Sequence, residues 1–267
     1  MDLGFHGEVA DFYQRYRRGY PPPVIDALVE AFGLTGEDTV IDLGCGTGQL
    51  TLPVAGRVRG VAGVDPEPDM LRRARQAAAE AGTANVTWIV GADTDLPALG
   101  RLLGGGSVAA VTIGQALHWM NDGEVFRAAA GLVRPGGGVA VVTNGTPIWL
   151  QDTGWSRALR RWLEDWLGHG TGDPCGTDEA SQQRYAAGLA TAGYRVTRAR
   201  VSYAEELTLD QVTGGIYSAL QASQLPPPDQ RPRFAAQIRG TLAGHAPYTE
   251  HVEVSLVLGT VSAGAGG

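Results

Sequence analysis

Val40-Ile41-Asp42-Leu43-Gly44-Cys45-Gly46-Thr47-Gly48 joins a short apolar run to a stretch of helical character. Glycines at alternating positions allow a tight turn with no side chain between the backbone and a ligand lying across it. Taken alone, such a run is as much a plain turn as a binding loop. Its meaning therefore depends on what stands around it.

Outward from the loop, residues 39–144 alternate between apolar runs and helix-like stretches. The runs are Thr39 to Leu43, Val58 to Val64, Val86 to Val90, Val108 to Ile113 and Gly138 to Thr143. Most are nearly continuous in apolar residues, as expected of strands covered on both faces. Gln49 to Arg57, Asp69 to Ala81 and Asp122 to Val133 read as the helices between them. That rhythm predicts a parallel sheet with crossover helices. Upstream, Val9 to Phe32 reads as two helices broken at Pro21 to Pro23. Downstream, Trp155, Leu159, Trp162, Leu163, Trp166 and Leu167 form a helical stripe, and Glu179 to Ala192 reads as another helix. Arg195 to Leu207 and His251 to Val261 read as two last strands, with largely helical material between them.

The expected architecture is one α/β domain with a three-layer, Rossmann-like, seven-stranded sheet. It is mostly parallel with an antiparallel last strand. Within it, residues 1–35 form an N-terminal helical cover, 36–146 the cofactor-binding core, 147–193 an inserted cap and 194–267 the C-terminal strands and helices. The tail from Ser262 to Gly267 is expected to be mobile.

Two acids give the loop its meaning. Asp65 closes the second run, about twenty residues past the loop, where a carboxylate can accept both hydroxyl hydrogens of a ribose. Asp93 follows the third run, where a carboxylate can accept from the exocyclic amine of an adenine. Either acid by itself is as readily a turn or cap residue. Three features in the right order at three successive strand ends are harder to dismiss. A nicotinamide or flavin domain is the main competitor. Its fingerprint is Gly-x-Gly-x-x-Gly, with a pyrophosphate at the helix N-terminus. Here the glycines are Gly44, Gly46 and Gly48, and Asp42 opens the loop. An acid at that entry suits an ammonium or sulfonium group better than a pyrophosphate.

With these residues in place, Asp42-Leu43-Gly44-Cys45-Gly46-Thr47-Gly48 resembles the S-adenosylmethionine loop of class I methyltransferases. Tyr16-Arg17-Arg18-Gly19-Tyr20-Pro21 resembles the approach segment of the trans-aconitate methyltransferase-like group, with Arg18 in place of its proline. Gln115-Ala116-Leu117-His118-Trp119-Met120 resembles that group's segment after the fourth strand, and Val133-Arg134-Pro135-Gly136-Gly137 its turn before the fifth. The resemblance implies S-adenosylmethionine as cofactor and S-adenosylhomocysteine as product. It places Asp42, Gly44 and Gly46 in the cofactor loop, Asp65 on the ribose, Asp93 on the adenine amine and Met70 on the adenine face. Arg17 would meet the cofactor carboxylate, and Gln115 would lie beside the methionine part.

Methyl transfer from a sulfonium needs mainly alignment of nucleophile, methyl and sulfur. A hydroxyl acceptor also gains from a base that takes its proton, and His118 is the candidate. The plainer reading is that His118 and Trp119 pack the wall of the site. Tyr20, Trp119 and Trp155 are expected at the acceptor pocket, although an aromatic stripe like that of Trp155 is more often core than pocket. Cys45 reads as a small packed residue. His169, Cys175 and His245 are too scattered for a metal site, so no metal is expected.

The formal net charge of -7, with no Lys/Arg run, disfavours nucleic acid as a partner. The arginines at 72, 73 and 75 and at 157, 160 and 161 read as solvated helix faces. No apolar run approaches a spanning length, and two cysteines make no disulfide framework. A cytoplasmic protein acting on a small molecule is the expectation, with secondary metabolism as its setting. The rival readings are an NAD(P)-dependent oxidoreductase and a non-catalytic S-adenosylmethionine-binding module. Methylation of protein or nucleic acid is a third.

Overall fold

The computed structural model describes residues 4–262, so nearly all of the tail expected to be mobile lies outside the described residues. In chain order it begins with α1 (Glu8–Tyr16), α2 (Pro22–Phe32), β1 (Thr39–Leu43), α3 (Thr51–Ala55), β2 (Gly60–Asp65), α4 (Pro68–Glu80) and β3 (Val86–Val90). Next come α5 (Leu96–Leu103), β4 (Val108–Gly114), α6 (Asp122–Ala130), β5 (Val133–Asn144), α7 (Gly154–Leu167) and α8 (Glu179–Thr191). The chain continues through β6 (Arg195–Leu207), α9 (Leu209–Tyr217), α10 (Arg231–Thr241) and β7 (Tyr248–Thr260).

Among the described residues the strands form one seven-stranded sheet in the order β3-β2-β1-β4-β5-β7-β6. The pairs β1–β2, β2–β3, β1–β4 and β4–β5 are parallel. β7 runs antiparallel to β5, with Gly138 opposite Thr260 and Asn144 opposite Val254. The predicted fold class is therefore the observed one.

The chain folds as two compact units. Among the described residues, the larger comprises Arg18–Asn144, Gly176–Val201 and 254–262. The smaller comprises 4–17, Gly145–Cys175 and Ser202–Glu253.

In the larger unit the strand residues alternate between two helical layers. Ile41, Leu43, Val64, Val111, Ile113, Val139 and Val141 pack with Leu96 and Leu99 of α5, Val125, Phe126 and Ala129 of α6, and Tyr185 and Leu189 of α8. The intervening positions face the other way: Asp42 meets Thr51 of α3, and Gly138 meets Phe32 of α2. The two N-terminal helices are separated as expected, with the break at residues 17–21, and the prolines after it open the second helix. Pro22 and Pro23 occupy the first turn of α2, where backbone donors have no partner to lose. Gly33 ends α2 in the left-handed conformation at φ 55°. Arg134 then binds that end, donating to Phe32 O (3.1 Å), Gly33 O (3.3 Å) and Asp38 Oδ1 (2.9 Å).

Three details depart from the sequence expectation. β5 begins at Val133, which pairs with Val108, and the register resumes only at Ala110 opposite Gly138. The turn residues between them are a bulge within the strand, not a turn preceding it. The helix expected to reach Val133 accordingly stops at Ala130. α5 was not anticipated, because Gly100 and the Gly104 to Gly106 run mask a stripe of just two buried leucines.

The smaller unit has its own core of Trp155, Leu159, Leu163, Val212, Ile216, Phe234, Ile238 and Leu242. Thr153 caps α7 by accepting from Ser156 N (3.2 Å), and Gly168 closes it at φ 73°. Trp162 and Trp166 each set a ring edge-on to Phe234, with centroids 4.9 Å apart. No helix among the described residues is long and apolar enough to cross a membrane.

Candidate active site

The glycine loop is held from below by the end of β2. Gly44 N and Cys45 N both donate to Val64 O, at 2.8 and 3.0 Å. Gly44 and Gly46 adopt φ of 68° and 54°, a region that glycine enters without penalty. A side chain at Gly44 would also begin 2.5 Å from Ala116 Cβ. The loop is thereby packed directly on the segment that follows β4.

Asp65, the last residue of β2, fastens this turn. Its Oδ2 accepts from Gly46 N (2.8 Å) and its Oδ1 from Glu67 N (2.9 Å). Each oxygen keeps acceptor capacity for one further donor. Burial raises the carboxyl's pKa, against the two backbone donors that lower it.

Asp42 has a different environment. It is 1% exposed and accepts from Thr51 Oγ1 (2.5 Å) and Thr112 Oγ1 (2.7 Å). These bonds tie β1 to α3 and to β4, so its carboxylate is engaged by the protein itself. Burial pushes its pKa to about 6, opposed by the two threonine hydroxyls and assisted by the charge of Asp65. The sign of the stability effect follows. Raised from an unfolded value near 3.8, the group favours the folded state most below that pH, and the advantage is lost as pH rises through about 6. Asp42→Asn should therefore gain stability relative to the parent between pH 4 and pH 7, by about 3 kcal/mol at most. Urea midpoints at the two pH values check this; a pH-independent difference would refute it.

At the end of β3, Gly91 N donates to Asp65 O (3.1 Å), so the tips of β2 and β3 are joined. Asp93 begins a short 3-10 turn and is half-buried. The local capping role falls to Asp95, whose Oδ2 accepts from Ala92 N (2.9 Å). Met70 is buried on α4. Gln115 takes a left-handed backbone at φ 53°, uncommon for a residue with a side chain. Its N donates to Val142 O (2.8 Å), and its Oε1 accepts from Asn144 N (2.8 Å).

Beyond β4, His118 is half-buried, with its ring tilted against Trp119 at 5.0 Å between centroids. Trp119 is 46% exposed. Tyr20 reaches the tip of β4, where a side chain at Gly114 would begin 2.8 Å from its Oη. The larger unit thus contains Tyr20, Asp42, Gly44, Gly46, Asp65, Met70, Asp93, Gln115, His118 and Trp119.

Arg17 and Trp155 belong to the smaller unit. Arg17 stacks over Tyr13 at 5.1 Å and donates to Ser218 O (3.4 Å), while its buried Nε has no hydrogen-bond partner among the described residues. Trp155 is 3% exposed in that unit's core, and its Nε1 donates to Thr249 O (3.1 Å). That is the environment of a packing residue. The threonines that satisfy Asp42 had no signal in sequence, since nothing local marks Thr112 as its partner.

Comparison with known proteins accords with this geometry. A family model described as a methyltransferase domain matches residues 40–137. An uncharacterized methyltransferase of Mycobacterium tuberculosis, Rv3342, is 35% identical over 159 residues, which are 60% of this chain and 58% of the relative. The chain thus matches somewhat more than half the length of that relative. Among solved structures, the YcgJ protein of Bacillus subtilis superposes with a TM-score of 0.56 at 17% identity, covering 90% of this chain and 98% of that one. The [4+2]-cyclase SpnF gives 0.54 at 18% identity, covering 91% and 82%. At these identities the structural likeness is one of fold. The stretch from residue 40 to residue 137 is thus similar to a methyltransferase domain, and it lies within the Rossmann-like, seven-stranded sheet.

Proposed function

We propose that this chain transfers a methyl group from S-adenosylmethionine to an oxygen or nitrogen of a small organic acceptor. The observation that carries the reading is Asp65, a buried carboxylate at the tip of β2 that fastens the glycine loop and keeps acceptor capacity on both oxygens. Those features suit the ribose of that cofactor. When bound, S-adenosylmethionine supplies an activated methyl group on a sulfonium centre.

The residues of the larger unit divide the work. Asp65 accepts from the ribose hydroxyls, Asp93 from the adenine amine, and Met70 packs near the adenine. Gly44 and Gly46 keep the loop backbone open to the methionine part, beside Gln115. Asp42 acts from beneath by holding β1, α3 and β4 in register. His118 takes the proton of an acceptor hydroxyl, with Tyr20 and Trp119 along the acceptor's approach. The segments Tyr16 to Pro21 and Gln115 to Met120 support the trans-aconitate methyltransferase-like group as the subgroup. The net charge of -7 supports a small-molecule acceptor over nucleic acid. Two free thiols suit a reducing compartment such as the cytoplasm. The Ala, Gly and Arg content is in keeping with secondary metabolism.

Calorimetric titration with S-adenosylhomocysteine, run in parallel with NAD, tests the proposal. Binding of the former alone is expected; binding of NAD alone would replace this reading with an oxidoreductase. His118→Ala should leave S-adenosylhomocysteine affinity within about twofold while turnover falls about 100-fold. Transfer of labelled methyl to an accepted substrate measures it. Unchanged turnover would remove His118 from the chemistry.

A further inference from the structure

Gln182, on α8, is a buried amide that the functions above do not use. It is 4% exposed. Its Nε2 donates to Gly176 O (2.9 Å) and to Thr143 Oγ1 (3.2 Å) near the end of β5. The carbonyl of Gly176 can only accept, so the amide cannot be reversed without setting oxygen against oxygen. Its Oε1 is thereby fixed in place, and among the described residues it has no hydrogen-bond partner. A buried acceptor left in this state bears a desolvation cost that a donor arriving with a ligand would recover.

The surroundings say which ligand. Thr143 lies at the carboxyl end of the parallel strands, the end at which open α/β sheets hold their ligands. Gly176 sits between Tyr185 and His118: a side chain there would collide with Tyr185 Oη and begin 3.6 Å from His118 Cβ. Gln182 is therefore one hydrogen bond removed from the backbone that packs against the candidate base.

We infer that Gln182 Oε1 is a specificity contact for the methyl acceptor, accepting a hydrogen bond from an O–H or N–H of that molecule. The acceptor class is thereby narrowed to compounds bearing a hydrogen-bond donor. A fully alkylated or hydrocarbon-only molecule would leave the oxygen unpaired and is selected against. The inference rests on the methyltransferase reading for the identity of the ligand as methyl acceptor, but not for the existence of the contact.

The test uses a matched pair of probes, phenol and anisole, which differ in the presence of the donor. Each is titrated into the full-length protein saturated with S-adenosylhomocysteine and followed by ligand-observed NMR. Phenol should bind about tenfold more tightly than anisole, as one hydrogen bond of roughly 1.4 kcal/mol requires. In Gln182→Met the preference should shrink to within about twofold. A second readout needs no variant: in the wild-type protein, phenol but not anisole should shift the side-chain amide resonances of Gln182. Equal binding of the two probes, binding of neither, or a preference that survives in Gln182→Met would each overturn the inference. So would unmoved Gln182 resonances, which also decide the matter if the variant fails to fold. S-adenosylhomocysteine affinity is measured on the same samples. Its absence would defeat the methyltransferase reading, and the probe titrations on the free protein would still judge the contact.

Discussion

Asp65→Ala is expected to weaken S-adenosylhomocysteine binding on the order of 100-fold or more. Two hydrogen bonds to a charged group, at about 1.5–3 kcal/mol each, are lost with the carboxylate. The loop also loses its tie from Gly46 N to Asp65 Oδ2, so the backbone meant to meet the cofactor is no longer held ready. Stability should change much less than affinity. Burial raises the pKa of Asp65, which means that the ionised form is held against a desolvation cost; removing it offsets part of the loss of two backbone hydrogen bonds. Calorimetry and thermal melting on the same variant separate the two effects. Affinity equal to the parent's would remove Asp65 from the site. A collapse in melting temperature alongside the lost affinity would instead make the residue a structural brace.

Gly138→Ala carries the largest expected effect on the fold. Gly138 lies where β5 meets β7, opposite Thr260. A side chain there would overlap the carbonyl oxygen of Gly259 and begin 2.8 Å from Phe32 Cε1. The first obstacle is backbone, which cannot rotate away as a side chain can. Either β7 moves off β5 or α2 lifts from the sheet, and a loss of about 3 kcal/mol or more is expected. Gly240→Ala is the matched control. That glycine sits on the exposed face of α10 with nothing within 4 Å of an added Cβ, and alanine should stabilise the helix there by up to about 1 kcal/mol. Urea denaturation measures both. A Gly138→Ala protein within about 1 kcal/mol of the parent would contradict the β5–β7 register.

Much of the larger unit could be read directly along the chain. β1, β3 and β6 have the boundaries anticipated for them, and β2 and β4 differ by two residues or fewer at either end. β1, β2 and β4 were legible because a strand covered on both faces needs a continuous apolar run, whereas β6, an edge strand, alternates polar and apolar residues along its length. The acids were legible for a related reason: Asp65 and Asp93 sit at or just past strand ends, and a strand end is a local event. α5 was not legible, since its buried face is two leucines beside several glycines. The start of β5 was missed because Val133 joins the sheet through pairing with Val108, a partner that no local pattern names.

What the sequence by itself determined is the alternation of strands and helices, the glycine loop and the order of acids around it. Each depends on residues within a few turns of one another and on the fixed periods of helix and strand. The tertiary structure alone decided how those groups are used. Thr112 reaches Asp42 across 70 positions, Gly46 finds Asp65 across 19, and Gln182 meets Thr143 across 39. Trp155 became a core residue because Thr249, 94 positions away, takes its indole N–H. Side-chain hydrogen bonds act over about 3 Å in space and are indifferent to separation along the chain. The pairing of strands brings such partners together, and only then does a carboxylate become a brace or a ligand, and a buried amide a satisfied group or an open acceptor.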